Sequence, residues 1–161
     1  MGTPSSRIGT EIAGYRIESL LARGGMGEVY LATQSFPQRK VALKLLPNEL
    51  SSDSAFRERF IRESNAAASV DHPNIVPVYG AGEADGELYI AMRYVEGTDL
   101  KTLIARTGRL DPDRAARIIS QVASALDAAH RHGLASRREA RQRPDPKTTM
   151  LPITPTSPIS D

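Results

Sequence analysis

Two features of this 161-residue chain could do chemistry: the stretch Gly24-Gly25-Met26-Gly27, and Lys44 within the apolar run 41–45. Glycines in such a turn leave backbone N–H groups unscreened by side chains around one concavity, which suits the oxygens of a phosphate. Taken alone, the stretch reads more readily as a plain hairpin turn, because short glycine patterns are common. Lys44 changes the balance. An ammonium among Val41, Ala42, Leu43 and Leu45 is costly unless an anion meets it. A lysine on the exposed face of an alternating strand is the plain alternative; the chemical reading pairs it with a carboxylate on the next helix and with a phosphate. Glu63 is the candidate carboxylate and Glu58 its rival, although Glu63 also reads as a solvated helix residue. At ~4 Å such a pair is worth about 4 kcal/mol before desolvation, at an effective dielectric of about 20.

The elements that must position these groups follow from periodicity. Alternation over 15–21 predicts a strand, the glycines a turn, and 29–32 a second strand that completes a hairpin. Residues 41–45 are a third strand. Asp53 or Ser54 caps a helix running to about Ser69, with Phe56, Phe60 and Ala67 toward one face, and His72-Pro73-Asn74 breaks it. Residues 75–79 and 88–94 read as two more strands with Asp85-Gly86 turning between them. Two helices follow, over 99–106 and 112–131. The second has Asp111 as N-cap, Pro112 at its first position, Gly133 beyond its end, and an apolar stripe of Ile118, Ile119, Val122, Ala125, Leu126 and Ala129. The fold class is α+β, with the sheet early in the chain.

Composition narrows the function classes. There are no cysteines, which excludes a disulfide scaffold, an iron–sulfur site and a thiolate zinc site. No apolar run approaches the ~20 residues of a membrane helix, and residues 1–10 lack a secretory signal, so the expected location is cytoplasmic. A net charge of +2 is too mild to imply nucleic acid.

In order and spacing, these pieces resemble the N-terminal lobe of a protein kinase, specifically the bacterial serine/threonine kinases of eukaryotic type. The matching text is Tyr-Arg-Ile-Glu-Ser-Leu-Leu-Ala-Arg-Gly-Gly-Met-Gly-Glu-Val-Tyr (15–30), Val-Ala-Leu-Lys (41–44), Arg-Glu (62–63), His-Pro-Asn-Ile-Val (72–76) and Leu-Tyr-Ile-Ala-Met-Arg-Tyr-Val-Glu-Gly-Thr-Asp-Leu (88–100). The resemblance covers about 11–134. It implies an antiparallel sheet with one regulatory helix over 11–96, then the first two helices of an incomplete larger lobe over 97–134, between a disordered N-terminus (1–10) and a disordered tail (135–161).

The resemblance also implies roles, with ATP and magnesium as cofactors and another kinase as a possible partner through the small lobe. Gly24 and Gly27 are the second and third glycines of the phosphate-covering loop, whose first glycine is Ala22 here. Val29 and Ala42 sandwich adenine, Lys44 holds the α- and β-phosphates and pairs with Glu63, and Met92 is the gatekeeper. Backbone groups of Arg93 and Val95 meet the adenine edge, and Asp99 faces the ribose. Leu21 and Gly25 complete the nucleotide-binding set.

The family transfers phosphate with a His-Arg-Asp-x-Lys-Pro-x-x-Asn loop and a later Asp-Phe-Gly. After His130-Arg131-His132-Gly133-Leu134 this chain reads Ala-Ser-Arg-Arg-Glu-Ala-Arg-Gln-Arg-Pro-Asp instead. If Ala135 to Pro144 are encoded GCA TCG CGA CGT GAA GCC CGG CAA CGT CCT, skipping the first base gives His-Arg-Asp-Val-Lys-Pro-Gly-Asn-Val-Leu. The sequence therefore predicts a frameshift between Leu134 and Ala135, an Arg- and Pro-rich out-of-frame tail, a chain truncated before its catalytic loop, and no phosphotransfer. A non-catalytic module that pairs with full-length kinases is the alternative. The long helix is expected to leave Ile118, Ile119, Val122 and Leu126 without partners.

Overall fold

The computed structural model describes residues 7–25 and 27–134. The tail expected to be disordered, 135–161, and residues 1–6 lie outside the described residues. Six strands form one antiparallel sheet: β1 (Glu11–Ile12), β2 (Tyr15–Gly24), β3 (Gly27–Gln34), β4 (Arg39–Leu45), β5 (Val78–Ala84) and β6 (Glu87–Arg93), in the spatial order β1-β2-β3-β4-β6-β5. Among the described residues there are four helices: α1 (Asn48–Ser51) and α2 (Ser54–Ala68) between β4 and β5, and α3 (Leu100–Thr107) and α4 (Pro112–Arg131) after β6. Two compact units result. One contains the sheet and α2, up to Ser69 together with Pro77–Tyr94; the other combines Val70–Val76 with the residues from Val95 onward.

In the first unit, alternation along the strands drives one face into a core. Ile17, Tyr30, Ala32, Val41, Leu43, Leu45 and Ala91 are buried together on that face. Arg7 ties the chain's start to this sheet through a two-pronged ion pair with Glu87. Residues 9 and 10, which sequence groups with a disordered start, hold backbone hydrogen bonds: the Gly9 N–H donates to the Ile17 carbonyl at 2.8 Å and Ile17 N–H to Thr10 at 2.9 Å.

Tyr30 is completely buried and its hydroxyl donates to the Glu28 carboxylate. Burial first, and that bond second, push its pKa up to about 12 from an ordinary 10.0. The phenol is held neutral in the folded chain, so its contribution to stability is complete below pH 10 and is lost as pH rises through about 12. Unfolding free energy measured by denaturant titration is therefore expected to fall across that window, and Tyr30→Phe to reduce the fall.

Two strands depart from expectation for local reasons. Strand β1 forms because Ala13 and Gly14 adopt φ of 51° and 80°, a two-residue turn whose first position rarely takes alanine. The Asp85-Gly86 turn uses the same geometry, φ 53° and 78°, with residues that advertise it. The strand expected over 75–79 begins instead at Val78. The Ile75 N–H is taken by the His72 carbonyl at 3.1 Å and the Asn74 N–H by the His72 ring at 3.1 Å, and Pro77 has no N–H to give a ladder.

In the second unit, the Asp111 side chain accepts from the backbone N–H groups of Asp113 and Arg114, with Pro112 at the first helical position. Asp111→Ala is expected to cost about 1 kcal/mol of stability, read as a lowered denaturation midpoint at unchanged slope. Helix α4 buries Ile118, Ala125, Ala128 and Ala129, while Ile119 and Leu126 are 67% and 39% exposed. The expected partnerless stripe is thus corrected at Ile118: it shares a helix face with the alanines seven and eleven positions on, whereas Ile119 and Leu126 share another. Leu134 packs beside the buried cluster of Val70, Ile75, Ala125 and Ala128, and its N–H donates to the Ala129 carbonyl at 3.0 Å.

Candidate nucleotide site

The sheet register brings most of the sequence-predicted residues of the first unit onto one face. Ala22 lies opposite Val29, Val29 opposite Lys44, and Lys44 opposite Ile90, making one row across four strands. The adjacent row pairs Ala42 with Met92. Residues directly opposite one another share a face, so Ala22, Val29, Ala42, Lys44 and Met92 point away from the Tyr30–Leu43–Ala91 core. Ala42 and Met92 are buried, Val29 and Lys44 are half-buried, and Ala22 is exposed. Ile90, two residues before Met92 on β6, completes the row and was not singled out from sequence; the strand's two-residue period places it there.

The glycine stretch is the β2–β3 hairpin. Gly24 and Gly27 are paired and the chain turns between them. Gly27 has φ 109°, and a Cβ there would come within 2.0 Å of the Leu45 carbonyl oxygen. A Cβ on Gly24 or Gly25 would meet nothing within 4 Å. Internal packing therefore accounts for Gly27 alone. Among the described residues nothing crowds Gly24 or Gly25, which leaves their backbone open to close approach. Arg23 and Glu28, opposite each other on the two strands, brace the hairpin with an ion pair of 2.6 Å. Leu21, before this tip, is 43% exposed.

Lys44 projects from the same face and forms no ion pair among the described residues. Burial alone lowers its pKa from the ordinary value of 10.5. Glu63, half-buried on α2, lies 3.9 Å from the Arg59 guanidinium one helical turn back. The structure thus places Lys44 and Glu63 in the same unit without joining them. Glu58 is exposed and lines a cavity of about 550 Å³ with Arg57, Ile61, Arg62, Asn65 and Glu83; that cavity contains none of the predicted nucleotide residues. An unpaired, partly desolvated ammonium beside a hairpin with open glycines is suited to phosphate oxygens, and the residues present fit a nucleotide's phosphate chain. Magnesium is a different case: among the described residues no group of three acidic or histidine side chains could hold a metal ion.

The remaining positions have other work in this structure. The Arg93 backbone N–H donates to the Pro77 carbonyl at 3.0 Å. Val95 is half-buried and belongs to the second unit. Asp99 caps α3, accepting the Thr102 N–H at 2.6 Å, and that bond is the main reason its carboxyl sits below the usual range. Among the described residues no helix is long and apolar enough to cross a membrane.

A family model described as the protein kinase domain matches residues 15–137. The serine/threonine-protein kinase PknE of Mycobacterium tuberculosis (strain ATCC 25618 / H37Rv) is 47% identical over 136 residues, which are 84% of this chain and 24% of that protein. PknH of Mycobacterium bovis is 48% identical over 132 residues, 82% of this chain and 22% of that protein. The crystal structure of the M. tuberculosis PknI kinase domain is similar at a TM-score of 0.71 and 41% identity, over 78% of this chain and 51% of that one. The chain therefore spans about a quarter of the length of these curated relatives and about half of the solved domain. With its sheet order, its glycine hairpin and its lysine row, the chain belongs to the serine/threonine protein kinase family.

Proposed function

We propose that this chain is the nucleotide-holding lobe of a serine/threonine protein kinase, and that as it stands it holds ATP without transferring its phosphate. The observation that carries the reading is the row Ala22–Val29–Lys44–Ile90 running into the Gly24–Gly27 hairpin. In that reading the hairpin's backbone N–H groups cover the phosphates and the Lys44 ammonium binds the α- and β-phosphates. Val29, Ala42 and Met92 give the adenine an apolar bed, with Leu21 at its rim and the backbone of Arg93 at its edge. Glu63 anchors Lys44 once the phosphate is bound, in competition with Arg59. Magnesium in this family neutralises charge on the transferring phosphoryl group, and among the described residues no cluster of three acidic or histidine side chains is gathered for it. ATP as ligand fits a cytoplasmic setting.

The missing step is a proton transfer. In the family the hydroxyl that attacks the γ-phosphate gives its proton to the Asp of the His-Arg-Asp loop. In this chain the residues after Leu134 read Ala-Ser-Arg-Arg-Glu-Ala-Arg-Gln-Arg-Pro and bear no such Asp in a His-Arg-Asp motif. We propose that Ala135 onward is read one base out of frame, because the hidden frame spells His-Arg-Asp-Val-Lys-Pro-Gly-Asn where the family needs it. Most of its bases are dictated by the visible residues.

The test is to measure a fluorescent ATP analogue and radiolabelled phosphate transfer on the same preparation. Saturable binding with no transfer to a generic serine/threonine peptide is the expected result; transfer by this chain, or absence of any binding, would overturn the proposal.

A further inference from the structure

We infer that a second break in the coding frame lies between codons 145 and 158, and that beyond it the DNA specifies a magnesium-binding Asp-Phe-Gly in the third reading frame. The inference rests on the frameshift at Leu134 proposed above. It comes from codons that the one-base shift leaves unused. Pro158, Ile159, Ser160 and Asp161 are encoded CCN, ATH, TCN and GAY, with serine in its four-codon box. Read two bases later than the visible frame, they give NAT, HTC and NGA. With third bases G at Pro158, T at Ile159 and G at Ser160, these are GAT, TTC and GGA: Asp, Phe and Gly.

The codons before them agree. Pro155, Thr156 and Ser157, encoded CCN, ACN and TCN, become NAC, NTC and NCC in the same frame. With Ser157 also in its four-codon box, the middle one is Phe, Leu, Ile or Val, an apolar residue two places before the hidden Asp. Tyr-Leu-Thr-Asp-Phe-Gly is among the readings allowed.

Order and phase complete the argument. The hidden His-Arg-Asp loop ends on the first base of codon 145 and lies one base out of the visible frame. The hidden Asp-Phe-Gly follows it, as the family order requires, but lies two bases out. No single shift opens both. One extra base, or two missing, is needed at each point, the same kind of slip twice. Residues 135–161 then encode both catalytic carboxylates of the phosphoryl-transfer centre, the base and the metal ligand, in frames the chain does not use.

Sequencing the coding DNA through codons 130–161 tests this without presupposing the first shift. The expected third bases at codons 158, 159 and 160 are G, T and G. Any other base at any one of them removes the Asp, the Phe or the Gly and overturns the inference. The third bases of codons 135–144, reported in the same read, decide the His-Arg-Asp loop separately. That loop present with Asp-Phe-Gly absent would sink the second break alone, whereas loss of the loop would sink the frameshift on which it rests.

Discussion

Lys44→Met is expected to weaken binding of an ATP analogue by roughly 10- to 150-fold while leaving the chain folded. Charge-assisted hydrogen bonds from an ammonium to phosphate contribute about 1.5–3 kcal/mol, and about 1.4 kcal/mol is tenfold in affinity. The fold does not depend on this charge. Lys44 is half-buried, makes no ion pair among the described residues, and has its pKa lowered by burial alone, so the free chain carries a desolvated ammonium without compensation. Replacing it by methionine relieves that cost. The denaturation midpoint should therefore hold or rise as affinity falls. A depressed lysine pKa also fixes the sign of the pH dependence. Phosphate binding needs the protonated form, so affinity should decline with rising pH below the ordinary lysine range around 10.5, and Lys44→Arg should remove that decline. Equal affinity for wild type and Lys44→Met would remove Lys44 from the site.

The second large effect is on stability. Gly27→Ala is expected to cost about 2–4 kcal/mol, because φ is 109° and the new Cβ would lie 2.0 Å from the Leu45 carbonyl oxygen, which is backbone and cannot swing aside. Gly24→Ala, whose Cβ meets nothing within 4 Å, should cost less than about 1 kcal/mol. Its effect should instead appear in nucleotide affinity, where an added methyl keeps phosphate off the backbone. Urea denaturation of the two variants, each with an ATP-analogue titration, separates a glycine needed by the fold from one needed by a ligand. Comparable stability losses at both positions would contradict that division.

What was legible in the sequence is what local physics determines. The α4 boundaries, its Asp111 cap and Pro112 start all follow from the first and last turns of one segment. The site face was legible for a related reason: side chains two apart on a strand share a face, so Lys44 and Ala42 had to share one side of β4, and the strand partners inherit it. Non-local features were harder. Residues 75 and 76 are apolar enough for a strand, but the His72 carbonyl takes the Ile75 N–H and Pro77 has none to offer a ladder. The strand Glu11–Ile12 depends on an alanine at positive φ, which residue type argues against. Which of Ile118 and Ile119 is buried depends on helix phase against a partner that sequence does not name. The Lys44–Glu63 pair lies at the same limit: residue types suggest it, while in the structure Arg59, one turn away, holds the carboxylate.

The claim on which the functional reading turns is that the catalytic loop is encoded under residues 135–144, one base out of frame. Reading the DNA at those ten codons tests it most directly. The account predicts third bases A, G, A, T, A, C, G, A, T and T from Ala135 to Pro144, which spell His-Arg-Asp-Val-Lys-Pro-Gly-Asn-Val-Leu when the first base is skipped. Codons whose shifted reading lacks the His, the Asp, the Lys or the Asn would contradict it, and the residues after Leu134 would then have an origin other than a displaced catalytic loop.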